Sequence, residues 1–102
     1  RQLRFDMTCA FAARAMAAGH VVFSPISHSH PIAAYLPEDK LMDHEFWMAA
    51  DLPILEKARE LWVLMLAGWE KSKGVAEECA FANERMIPTK YFTLDDRIPC
   101  VI

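Results

Sequence analysis

Six consecutive apolar residues, Leu61-Trp62-Val63-Leu64-Met65-Leu66, constrain the fold more than any other stretch of the 102-residue chain. A strand with one face in water alternates apolar and polar residues, so an unbroken apolar run predicts a strand covered on both faces, as in a parallel sheet flanked by helices. Extended to Trp69, the run is about half of the roughly 20 residues a helix needs to cross a bilayer, so no membrane span is expected.

The flanking segments fit a layered fold. Only three glycines occur, and each falls where the periodicity changes. Between Leu3 and Ala18, Phe5, Cys9, Ala12 and Met16 recur at i, i+4, i+7, i+11, which predicts an amphipathic helix with those residues inward and Gly19 closing it. His20-Val21-Val22-Phe23-Ser24 is short, rich in β-branched residues and stopped by Pro25, so it reads as a buried strand. A proline-bounded loop, 25–37, is expected next. A helix from Asp39 or Asp43 to Arg59 follows, kinked or restarted near Asp51 because Pro53 lacks an N–H and crowds the carbonyl four residues back. After the apolar strand come an exit loop over 68–73, a helix over 73–86 with Val75, Cys79, Ala82 and Met86 inward, and a last strand over 88–92; the tail to Ile102 is unassigned.

Helices alternating with strands make the class α/β: a three-layer parallel sheet with crossover helices, flavodoxin-like or Rossmann-like, in a single domain over 1–102. A chain of this kind that opens on a helix predicts a strand missing ahead of it, so the domain reads as incomplete at its N-terminus. The first residues also lack the apolar run of a signal peptide. A net charge of −3 and a pI near 5.8 offer no basic footprint for a nucleic-acid polymer. Cys9, Cys79 and Cys100 are odd in number and far apart, which fits a reducing cytoplasm better than a disulfide framework or a metal knuckle.

In open α/β sheets ligands bind beyond the carboxyl ends of the strands, here the loops after Ser24 and Leu66. The second loop is the richer. Ser72 is a natural N-cap, Gly74 permits close backbone approach, and the free N–H groups at the helix start suit an anion. Glu77 has Lys73 one turn back and reads as half of a solvated pair. Glu78 has Gly74, Val75, Phe81 and Ala82 at its i±3 and i±4 positions; burial would raise its pKa and the helix N-terminus would lower it. A carboxylate that is ionised yet poorly hydrated can act as a nucleophile. Asp51 lies in an apolar run, either capping a helix restarted at Pro53 or facing a ligand as an acid. His28 and His30 point the same way if their loop is extended, with His44 a conceivable third metal ligand, but the spacing is not that of a metal site and none is expected. Trp69 can serve the core or cover a planar base, and Cys79 reads as a small core residue.

These residues carry a resemblance. His20-Val21-Val22-Phe23-Ser24-Pro25 with His28-Ser29-His30-Pro31, then Phe46-Trp47 and Asp51-Leu52, then Gly68-Trp69-Glu70-x-Ser72-x-Gly74 and Glu78-x-Ala80-Phe81-Ala82, resembles an uncharacterised, mostly bacterial and phage family. That family is similar to the nucleoside 2-deoxyribosyltransferases and the 2′-deoxynucleoside 5′-phosphate N-hydrolases. The resemblance extends to about Phe92 and implies catalytic roles for Glu78, as nucleophile at the anomeric carbon, and for Asp51, near the leaving base. It implies substrate contacts at Ser72, Gly74, Trp69, Ser24, His28 and His30. Ser72 stands where transferases of free nucleosides tend to have Asp and the nucleotide hydrolases have Ser, which leans towards a 5′-phosphate. Arg59 stands where relatives often carry Asp. The activity implied is an N-glycosidase or deoxyribosyltransferase without a cofactor, acting on a small nucleoside or nucleotide, as a homo-oligomer (dimer or tetramer). The alternatives are a non-catalytic nucleotide-sensing module and a structural, oligomerising α/β domain.

Overall fold

The computed structural model describes residues 2–101. Five α-helices and two strands follow in the order α1 (Gln2–Ala17), α2 (Pro25–Ala33), α3 (Glu38–Leu41), α4 (His44–Leu55), β1 (Leu61–Leu64), a 3-10 turn (Trp69–Lys71), α5 (Lys73–Glu84) and β2 (Thr89–Phe92). The class is α/β. The strands pair in parallel with Leu61 opposite Thr89 and Leu64 opposite Phe92, and α5 supplies the crossover that a parallel pair requires. Packing divides the chain into two compact units, one of Arg1–Pro37 with Leu94–Ile102 and one of Glu38–Thr93.

In the unit of Glu38–Thr93 the apolar run forms its strand, but the strand ends at Leu64 and only Val63 and Leu66 of the six residues are fully buried. A two-stranded sheet has too few neighbours to cover every side chain on both faces. The Trp62 ring lies 4.5 Å from that of Phe92 on one face, and Trp62 Nε1–H donates to Glu60 Oε1 at 2.6 Å. Helix α5 packs on both strands and buries Ala82 completely.

In the other unit, Phe11 and Ala15 form the buried face of α1. Phe5, Cys9 and Ala12 are half-buried as expected, whereas Met16 is exposed. The predicted strand His20–Ser24 is not one: Val21 is fully exposed, and no strand pairs with it among the described residues. β-branched propensity expresses itself only where a sheet offers a partner. The predicted loop after it is largely helix, because Ser24 Oγ accepts from Ser27 N–H and Pro25 fills the first helical turn, where no N–H is needed.

Neither Pro31 nor Pro53 ends its helix at once. Each stands two residues before the last residue of its helix, in α2 and α4. Beyond each, the chain tightens into i→i+3 bonds, Tyr35 N–H to Ile32 O at 2.9 Å and Ala58 N–H to Leu55 O at 2.9 Å. The expected restart at Asp51 is therefore absent, and Asp51 lies inside a continuous α4 rather than capping a new helix.

Helices α1 and α5 close by the same motif on different residues. After α1, His20 N–H bonds Ala15 O and Gly19 N–H bonds Met16 O, with Gly19 at φ 98°. After α5, Ile87 N–H bonds Ala82 O and Met86 N–H bonds Asn83 O, with Met86 at φ 59°. Both are Schellman caps, and the left-handed residue they need is normally Gly. Met86 is thus turned outward, 89% exposed, instead of lying on the core face the heptad-like spacing implies. Met86→Gly is expected to stabilise the fold by about 0.5–1 kcal/mol, the left-handed strain relieved less the extra flexibility of the unfolded chain. An unchanged or lower urea midpoint would contradict this account of the turn.

Candidate carboxylate site on α4 and α5

The site is built where α5 leaves the carboxyl end of β1. Gly68 at φ 86° opens the 3-10 turn, and Ser72 ends it and caps α5, its Oγ accepting from Val75 N–H at 3.2 Å. Gly74 lies in the first turn of α5 against α4: a Cβ placed there would stand 3.7 Å from Met48 Cε and 3.8 Å from Ser72 Oγ. One turn further, Glu77 and Glu78 project in different directions, about 100° apart around the helix.

On α4, His44, Met48, Asp51 and Leu55 recur at i, i+4, i+7 and i+11 and form its inward stripe. Asp51 is 8% exposed, the one charged residue among the fully buried ones described. Its position follows from the unbroken helix: because Pro53 does not interrupt α4, Asp51 stays on the stripe that Met48 begins to bury. The helices are joined at the edge of the site by His44, whose Nε2–H donates to Glu77 Oε1 at 2.7 Å. Glu77 therefore reaches α4, and the predicted Lys73 pairing is not the contact it makes.

Glu78 shows which of two opposed effects wins. Burial first, then the negative charge of Asp51, then that of Glu77, push its carboxyl from the ordinary 4.5 up to about 7. Six residues into α5, the helix N-terminus is too far to oppose them, since its influence falls off within the first turn. Near neutral pH the group divides between acid and carboxylate. A carboxyl poised there can exchange a proton or, once ionised, attack an electrophile without shedding a full hydration shell.

A family model described as a domain of unknown function (DUF1937) matches residues 3–93. The chain belongs to the DUF1937 family. No curated protein and no solved structure matches it. The matched stretch of this DUF1937 chain contains Ser24, His28, His30, Asp51, Trp69, Ser72, Gly74 and Glu78.

Asp51, Trp69, Ser72, Gly74 and Glu78 all belong to the unit of Glu38–Thr93. Trp69 is half-buried and tilted on Tyr91 with ring centroids 5.6 Å apart. Cys79 is half-buried rather than in the core, and its Sγ shares a hydrogen bond with Tyr91 Oη at 4.0 Å. Ser24, His28 and His30 belong to the other unit of the DUF1937 chain. Residues two apart on a helix are about 200° apart around it, so His28 and His30 on α2 face opposite ways, contrary to the extended-loop expectation. His30 stacks on Phe5 at 4.4 Å, and exposed His28 lies 5.2 Å from the Phe23 ring. Among the described residues, no group of three or more His, Cys, Asp or Glu side chains is arranged to hold a metal ion. Among the described residues, no helix is long and apolar enough to cross a membrane.

His44 is the site residue that sequence reasoning missed: it is weighed there only as a conceivable third metal ligand, with no metal site expected. The usable signal was its spacing from Met48 and Asp51, which puts all three on one helical face.

Proposed function

We propose that the chain is an N-glycosidase or deoxyribosyltransferase acting on a nucleoside or nucleoside 5′-phosphate, with Glu78 as nucleophile and Asp51 beside the leaving base. The observation that carries the reading is a buried Asp51 whose charge, with burial, holds Glu78 near neutrality one turn past a Ser-capped helix start. In the first step an ionised Glu78 oxygen bonds to the anomeric carbon while the C–N bond breaks, its electron pair leaving with the base, which sits beside the Asp51 carboxylate and takes its proton from water. In the second step water, giving its proton to the Asp51 carboxylate, or another base displaces Glu78 and regenerates its carboxylate. The displacement uses no metal or redox group. The high basicity of Glu78 favours attack once its proton is lost.

Ser72 supports a 5′-phosphate over a free hydroxyl. Its Oγ accepts from Val75 N–H, and the hydroxyl hydrogen is a further donor that adds no negative charge at the start of α5. The fold that goes with this reading is a three-layer, flavodoxin-like parallel sheet in which β1, α5 and β2 form one strand-helix-strand unit. The setting that goes with it is the cytoplasm, with assembly into a dimer or tetramer.

The test is incubation with a panel of deoxynucleosides and their 5′-phosphates, following released base by chromatography and a sugar adduct on the Glu78 peptide by mass. Release from at least one substrate class with the adduct on Glu78 is the expected result. No release from any member overturns the reading, and saturable binding without release would favour a nucleotide-sensing module instead.

A further inference from the structure

We propose that His44 is a positioning residue for Glu78: across the contact between α4 and α5 it takes up the charge of Glu77, the carboxylate adjacent to Glu78 in the chain. This deepens the reading above and rests on Glu78 being its working carboxylate. The contact is short, 2.7 Å, and it forms between side chains that are 26% and 43% exposed, so solvent screens it only in part. It also lies on the helix face that carries Asp51, so one imidazole ties together the two helices that hold both candidate catalytic carboxyls.

The charges around Glu78 leave this role to His44. Asp51 on α4 and Glu77 on its own helix both disfavour the ionised form. On the 3-10 turn, Glu70 and Lys71 are exposed, and Lys73 at the start of α5 is exposed as well. On β2, Lys90 pairs with Glu60 at 3.1 Å and Tyr91 meets Cys79. Of the two carboxylates that oppose ionisation of Glu78, Glu77 has its hydrogen-bonded partner on α4, and that partner is a donor able to become a cation. With His44 in place, Glu77 acts on Glu78 with less than its full charge, and Glu78 ionises closer to neutral pH.

The proposal is read directly from the ionisation of Glu78, followed by the side-chain carboxyl carbon shift in NMR titrations of the full chain. His44→Ala is expected to raise the Glu78 midpoint by about half a pH unit, roughly threefold in its ionisation constant. Glu77→Gln is expected to lower it, and adding His44→Ala to Glu77→Gln should then move it no further. His44→Gln, which keeps a donor without the capacity for charge, should fall between the native chain and His44→Ala, and it serves if the alanine variant fails to fold. An unmoved or lowered midpoint in both His44 variants, or an equal His44→Ala shift with and without Glu77, overturns the role of His44. These outcomes do not involve turnover, so they are separate from failure of the glycosidase reading, which the substrate panel reports.

Discussion

Between pH 4.5 and about 7 the native chain is expected to lose about 3 kcal/mol of folding free energy that a Glu78→Gln variant keeps. The argument is linkage. The Glu78 carboxyl titrates near 7 when folded against its ordinary 4.5, so between those values the folded state holds a proton that the unfolded chain has released. Stability is then fully present below about 4.5 and falls as pH rises towards 7, at up to about 1.4 kcal/mol per unit. Above 7 both states are ionised and the cost is constant. Other groups titrate over the same range, but they do so in both proteins, so the difference between native chain and variant isolates Glu78. Denaturant unfolding at half-unit pH steps measures it. Parallel curves across that window would show that Glu78 is not held in its acid form by the fold.

Base release is expected to follow the same group in the opposite sense. If ionised Glu78 is the nucleophile, kcat/KM should rise about tenfold per pH unit below 7 and level off above it, because only the carboxylate attacks. Glu78→Gln, close in shape but unable to form the ester, should lower release by about 10³-fold or more, the scale seen when a covalent nucleophile is removed. A pH–rate profile without a limb near 7, or a glutamine variant within tenfold of the native rate, would remove Glu78 from the nucleophile's role. The two experiments together predict one midpoint in two unrelated observables, with stability falling where activity rises.

The parts of the fold legible in the sequence are those set by local chemistry. Ser72, Gly19 and the apolar run from Leu61 specify a capped helix, a helix end and a strand with few neighbours needed to decide them. Ser24-Pro25 was an equally local helix-start signal, masked because Pro31 and the polar residues between made the segment look like loop. The helix restart expected near Asp51 is absent for a related reason: Pro53 stands near the end of α4, where the lost bond is a small part of the whole, and packing of the stripe through Met48, Asp51 and Leu55 overrides it. Asp51 and Glu78 were identifiable as charges among apolar neighbours, but the balance between burial and the helix start at Glu78 depended on tertiary packing. The His44 contact with Glu77 joins residues 33 apart, which spacing within one helix cannot reveal.

Arg14 on α1 donates from Nη1 to Leu94 O and from Nη2 to Asp96 O, both at 2.7 Å, and His20 Nε2–H donates to Pro99 O at 2.6 Å. The first two span 80 and 82 positions, whereas β1 and β2 pair residues only 28 apart. During synthesis the segment from Glu38 to Thr93 has all its own parts before the chain reaches Leu94, while α1 waits for partners that emerge after that segment. The order of assembly is thereby written into the connectivity: the carboxylate pair is in hand early, and joining α1 to the segment after Thr93 is a later, long-range closure with the larger entropic cost.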